Sequence, residues 1–325
     1  MKNNPILIVL GEPYSVFLEL IFKIFKSNFI QKIKRPIILI GSEKLLKGQM
    51  KKLKYNIYVN KLLQNEIHTV DTYNNKSINL INVNFEHNKP FDKITDKSKK
   101  YIDDCFNVGL NLIKKNNKIS LINGPVSKKN FLKNKFLGIT EYLAQKVNKK
   151  NNVAMLIYNK RLSVSPITTH LPLKLVHTNL TKAKIINHVM LITNFYKEHF
   201  KKIPKIAITG LNPHCESNYK SSEEDKIIIP AIKKLRLNNN KINGPFPADT
   251  IFTKSLSKKY DVIIGMYHDQ VLSPMKALFD FDAINITLGL PFTRISPDHG
   301  PNYSMLGKNL SNPKSLIKAL KFLDK

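Results

Sequence analysis

Short apolar runs alternate with helix-periodic segments along this chain, and that alternation restricts its fold more than any other feature. The longest apolar runs, such as Ile6–Leu10 and Ile37–Ile40, are strand-sized. Strands are predicted over Pro5–Leu10, Arg35–Ile40, Ile78–Val83, Ile119–Ile122, Val153–Tyr158, Leu162–Ile167, Lys205–Thr209, Asp261–Met266 and Asp282–Thr287. Between them helices are predicted over Ser15–Phe29, Glu43–Leu53, Asp96–Lys115, Ser127–Lys133, Thr140–Asn148, Leu180–His199 and Ser221–Arg236. Ser127 reads as a cap, and Ser221-Ser222-Glu223-Glu224 as a capping box. A last helix opens at Ser311-Asn312-Pro313. Strands and helices taken in turn mean an α/β chain with mostly parallel pairing.

With 325 residues there is room for two domains, and 42% hydrophobic residues suit a globular core. The junction is expected near Gly124–Lys135. The first domain then covers 1–127, completed by 300–325, and the second covers 128–299. No run approaches the ~18 residues of a membrane helix. Met1-Lys2-Asn3-Asn4 lacks the pattern of a signal peptide, so a cytoplasmic protein without membrane contact is expected. Cys105 and Cys215 form no metal or redox motif. The formal charge of +30 raises the question of nucleic acid. Against it, Arg35, Arg161, Arg236 and Arg294 are the only arginines, and the lysines are scattered in small clusters. Nucleic-acid sites favour the arginine fork. The expectation is therefore no nucleic acid, and a field that draws in a small anionic substrate.

In open α/β sheets, ligands gather outside the carboxyl ends of the strands. Three strand ends here deliver a histidine: His170 in "SPITTHLPL", His214 in "AITGLNPHCES" and His268 in "GMYHDQ". Three imidazoles with one open position make a catalytic metal pattern, although a single strand-end histidine is usually a plain surface residue. The 12 glycines contain no G-x-G, so both the dinucleotide fingerprint and the Walker loop are absent. Lys276, Asn285 and Arg294 are candidate anion ligands. Asp249, in "GPFPADTIF", reads as the start of a helix, where capping is its ordinary role.

Taken together, "NGPVSKKNF", "GITEYLA", "TTHLPL", "GLNPH", "SSEEDKIIIPAI", "GPFPADTIF", "YDVIIGMYHDQ", "NITLGLPFTR" and "DHG" resemble the 4-hydroxythreonine-4-phosphate dehydrogenase family of vitamin B6 biosynthesis. "ILIVLGEP" fits that family's opening strand. The resemblance implies two α/β/α domains of the isocitrate/isopropylmalate dehydrogenase type, with the active site in the cleft between them. It implies a homodimer with a shared active site and a fold that holds NAD, or NADP, without the glycine fingerprint. It further implies that His170, His214 and His268 bind one divalent ion (zinc, magnesium or cobalt), and that Thr140, Lys276, Asn285 and Arg294 contact a small phosphorylated amino-acid substrate. The activity implied is oxidation of 4-phosphooxy-L-threonine to 2-amino-3-oxo-4-phosphooxybutanoate, which decarboxylates to 3-amino-2-oxopropyl phosphate. Asp249 and Asp269 are the candidate bases, and Asp269 could instead orient a metal-bound histidine.

Two departures from the family pattern stand out. Gly138-Ile139-Thr140-Glu141 stands where the family reads Gly-His-Thr-Glu, and Tyr14-Ser15-Val16-Phe17 replaces a glycine-bearing stretch. Alternatives therefore stay open. One is a sister dehydrogenase acting on another phosphorylated hydroxy acid, such as a four-carbon aldonate 4-phosphate. Another is a metal-dependent lyase or hydrolase without NAD, and a third is a non-catalytic anion-binding protein.

Overall fold

The computed structural model describes residues 4–68, 74–133, 135–149, 152–216, 221–237, 241–280, 282–297 and 300–324. Two compact units emerge: Met1–Ile139 with Pro291–Lys325, and Thr140–Leu290. The "DHG" stretch falls mostly outside the described residues.

The first unit begins β1 (Ile6–Val9), α1 (Phe17–Lys26), β2 (Ile37–Gly41), α2 (Glu43–Lys52), β3 (Val59–Lys61), β4 (Ile78–Asn82), α3 (Ser98–Lys115) and β5 (Ser120–Asn123). From the junction onward come α4 (Ile139–Lys146), β6 (Ala154–Tyr158), β7 (Ser163–Thr168), α5 (Lys182–Phe200), β8 (Ile206–Thr209), α6 (Ile229–Leu237), β9 (Ile242–Phe246), α7 (Lys254–Ser257), β10 (Val262–Tyr267), α8 (His268–Phe279) and β11 (Ile284–Leu288). The chain then returns to the first unit with β12 (Arg294–Pro297) and α9 (Lys314–Leu323).

Strands of the first unit lie in the order β3-β4-β2-β1-β5-β12. Every pairing in that series is parallel. Helices cover such a sheet on both faces, so its inner strands read as unbroken apolar runs. Ile6, Leu7, Ile8 and Val9 are fully buried, as are Ile37, Ile38, Leu39 and Ile40. In the second unit the order is β11-β6-β7-β10-β8-β9. Here β7, β10, β8 and β9 run parallel, but β6 is antiparallel to both β7 and β11. The expectation of mostly parallel pairing thus holds except around β6. The cause is local: the connection from Tyr158 to Ser163 is too short for a crossover helix and closes as a hairpin. Met155, Ile157, Val164, Ala207, Ile263, Val271 and Met275 are among the residues of this unit's core.

Ser127 caps the π-helical turn Lys128–Leu132, accepting from the Asn130 N–H. The capping box at 221–224 is displaced by one residue. Ser222, not Ser221, accepts from the Asp225 N–H, and its hydroxyl meets the Asp225 carboxylate. The helix expected over Ser221–Arg236 opens as a π-helical stretch, Glu224–Ile228, before α6. Asp249 caps nothing, because it sits in the turn after β9 and the next helix starts at Lys254 behind Thr253. No helix among the described residues is long and apolar enough to cross a membrane.

Candidate functional site

The site of the second unit is built where β7, β10 and β8 end side by side. Register decides which side chains meet. Thr168 of β7 lies opposite Tyr267 of β10, so His170 and His268 emerge from neighbouring strand ends. Their ring centroids are 5.7 Å apart and their planes tilted by 40°. His268 is also the first residue of α8. Its Nδ1 donates to the Asp269 carboxylate at 2.7 Å, which leaves the Nε2 lone pair as the coordinating atom. Before His170, the Thr169 hydroxyl donates to the Glu141 carboxylate of α4 at 3.3 Å.

His214 follows β8 on a tight loop and is exposed. Both His214 (φ 57°) and Cys215 (φ 59°) are left-handed, a conformation that costs a non-glycine residue about 1–2 kcal/mol. Glu224 fastens the loop. Its buried carboxylate accepts from the backbone N–H groups of Leu211 and Asn212 at 2.7 and 2.9 Å, and from the Asn212 side chain at 2.8 Å. Burial alone would raise the Glu224 carboxyl, yet the bonds from Asn212 and Leu211 outweigh it and hold the group below its ordinary value. Burial pushes the Cys215 thiol up, so it is no ready thiolate. His188 shows the ordinary fate of a histidine. It is buried on α5, 2.6 Å from the Ser165 hydroxyl, and burial takes its pKa down to about 3.

Thr140 stands in the first turn of α4 with its hydroxyl 3.4 Å from that of Thr287 on β11. Ile139 heads the same helix. Asn285, on β11, is half-buried. Lys276 is eight residues beyond His268 on α8 and so shares its face of the helix. Asp249 is exposed, and close enough to Cys215 for its charge to act on the thiol. Arg294 belongs to the first unit. It is fully buried on β12, and its Nε donates to the Asn123 side chain at 2.7 Å. The structure therefore pairs His170 with His268, and His268 in turn with Asp269. Among the described residues, no three His, Cys, Asp or Glu side chains of one chain come together closely enough to hold a metal ion.

The donor chemistry fits a divalent ion. Two imidazoles face each other, and a carboxylate fixes the tautomer of one of them. Sequence reasoning gave Glu141 no role and read Glu224 only as part of a capping box, because a carboxylate that braces a loop carries no signature beyond its type.

Parallel strands capped by helices, with polar side chains crowding their carboxyl ends, define an α/β protein with a candidate ligand site at the strand ends. A family model described as "Pyridoxal phosphate biosynthetic protein PdxA" matches residues 32–323. A 4-hydroxythreonine-4-phosphate dehydrogenase of Sulfurihydrogenibium sp. is 37% identical over 318 residues, 96% of this chain and 95% of that protein. The crystal structure of 4-hydroxythreonine-4-phosphate dehydrogenase from Klebsiella pneumoniae superposes with a TM-score of 0.85 at 24% identity, covering 99% of this chain and 97% of the other. Isocitrate dehydrogenase from Methylococcus capsulatus shares the fold at a TM-score of 0.50 and 8% identity, over 97% and 83% of the two chains. The chain belongs to the PdxA family of pyridoxal phosphate biosynthesis.

Proposed function

We propose that this enzyme oxidises the secondary alcohol of 4-phosphooxy-L-threonine, passing hydride to NAD and a proton to a base. The 3-oxo acid that results then loses CO₂ to give 3-amino-2-oxopropyl phosphate. The observation that carries the reading is the facing pair His170 and His268, with Asp269 behind the second ring, in a chain of this family. In this reading His170, His268 and His214 hold the divalent ion, zinc, magnesium or cobalt, with one donor supplied by a second copy of the chain. When bound, the ion supplies Lewis acidity toward the substrate hydroxyl. Asp269 is engaged with Nδ1 of His268, so it orients that ring. Asp249 is then the base candidate, exposed on the turn after β9. Lys276 and Arg294 hold the phosphate and Thr140 and Asn285 the amino-acid end, turning remote binding energy into orientation.

One observation favours a second reading. Ile139 at the head of α4 has no side-chain donor, which favours a sister dehydrogenase acting on another phosphorylated hydroxy acid. Appearance of NADH separates the readings. Protein stripped with a chelator and dialysed is expected to form NADH from 4-phosphooxy-L-threonine only after a divalent ion is restored. NADH formed only from other phosphorylated hydroxy acids would support the sister activity. Product without NADH would overturn both in favour of a lyase or hydrolase.

A further inference from the structure

One side chain ties together two of the strand ends that carry histidines. Gln270 is the third residue of α8. Its Oε1 accepts from the Met266 backbone N–H at 2.7 Å and from the Thr209 hydroxyl at 2.9 Å. Its Nε2 donates to the Gly210 carbonyl at 2.8 Å. The amide can point only one way, because a backbone N–H can only donate and a backbone carbonyl can only accept. Met266 is two residues before His268, and Gly210 is four before His214.

The bracing continues on both sides. The Thr168 hydroxyl donates to the Met266 carbonyl at 2.7 Å, which binds the strand end leading to His170 to the one leading to His268. Past Gly210, Leu211 and Asn212 are held by Glu224. Glycines flank this network. A Cβ on Gly265 would lie 2.5 Å from Cγ1 of Val271 and 2.9 Å from Oε1 of Gln270, and one on Gly210 would lie 2.7 Å from Sγ of Cys215 and 3.0 Å from Oε1 of Glu224. A glutamine that merely capped its own helix would use Oε1 alone, on the helix's own entry. Here the hydroxyl of Thr209 and the carbonyl of Gly210 belong to a different strand.

We infer that Gln270 is a positioning residue that sets the strand end carrying His214 against the strand end carrying His268. The inference rests on the reading of these histidines as metal ligands. Gln270 touches no ligand ring in this arrangement; it acts through the two backbones it joins. Groups that orient metal ligands typically alter affinity by about 10–100-fold when removed.

Cobalt(II) titration of the full chain, followed by its visible absorption, tests this together with hydrogen–deuterium exchange. Gln270→Ala is expected to weaken cobalt binding about tenfold or more and to change the intensity of the cobalt bands. Exchange should accelerate in segments 209–216 and 264–269 together. Thr209→Val, which removes one strut only, should shift both readouts in the same direction by less. Thr209→Ser, which keeps the hydroxyl, should bind cobalt like the wild type. If Gln270→Ala does not fold, the Thr209 pair decides. Unchanged cobalt affinity, or loosening confined to one segment, overturns the inference. If the wild type itself takes up no cobalt, the metal reading fails separately. Joint loosening of the two segments then still supports the staple, and its absence overturns it.

Discussion

Glu12 is a carboxylic acid in a buried place. It follows β1, is 2% exposed, and neither of its oxygens has a well-formed hydrogen bond. Burial raises its pKa from 4.5 to about 7, with the Ser98 side chain and Ser127 backbone offsetting only part of that. The sign of the consequence follows from proton counting. Between those two values the folded chain keeps a proton that the unfolded chain has released. The contribution of Glu12 to stability is therefore fullest below pH 4.5, declines as pH rises toward 7, and stays lower above. The difference between the plateaus is on the order of 3 kcal/mol. Glu12→Gln, neutral at every pH, should be more stable than the wild type above pH 7 by that order and close to it in acid. Urea unfolding of both proteins at the two extremes checks this, and a gap independent of pH would show that Glu12 is not the group responsible.

At the scale of elements, apolar content decided what was legible. The inner strands announced themselves because helices on both faces demand unbroken apolar runs. β3 (Val-Asn-Lys), β9 (Ile-Asn-Gly-Pro-Phe) and β12 (Arg-Ile-Ser-Pro) escaped notice, since short strands with Pro, Gly or polar residues carry no such run. The histidines were legible for the converse reason, as costly polar groups placed where an apolar strand stops. Gln270 was not, because its partners Thr209 and Gly210 are 61 and 60 positions away. Arg294 could be noticed as a rare arginine, but its burial beside Asn123 could not. Helix α4 is where local sequence and family pattern part, at Ile139. A hydrogen bond to a charged group is worth about 1.5–3 kcal/mol, so Ile139→His should lower KM for 4-phosphooxy-L-threonine by roughly tenfold or more. The effect on kcat should be smaller if the contact is equal in ground and transition states. Steady-state kinetics of the two proteins read this directly, and an unchanged or higher KM would favour a different substrate.

For the whole molecule, the decisive arrangement is that one chain brings two imidazoles together, and that among the described residues no group of three His, Cys, Asp or Glu forms a metal site. On the proposed reading, a second copy of the chain completes the three-histidine site. His214→Ala and His268→Ala should each be inactive alone. Mixed under conditions of verified subunit exchange, they should recover up to about a quarter of wild-type activity, since half the dimers are hybrids with one intact site of two. No recovery would place the whole site within one chain. His170→Ala mixed with His268→Ala adds the geometry: recovery means that His268 reaches across, and its absence means that the two rings serve the same site. Chain order has a consequence of its own. The second unit, Thr140–Leu290, is inserted into the first, and β12 pairs with a β5 made long before it. The bond from Arg294 to Asn123 spans 171 positions. On the ribosome, a finished second unit can hang beside a first unit that still lacks a strand and a helix. The N-terminal half of this protein is thus begun first and closed last, and a buried arginine is among the pieces that close it.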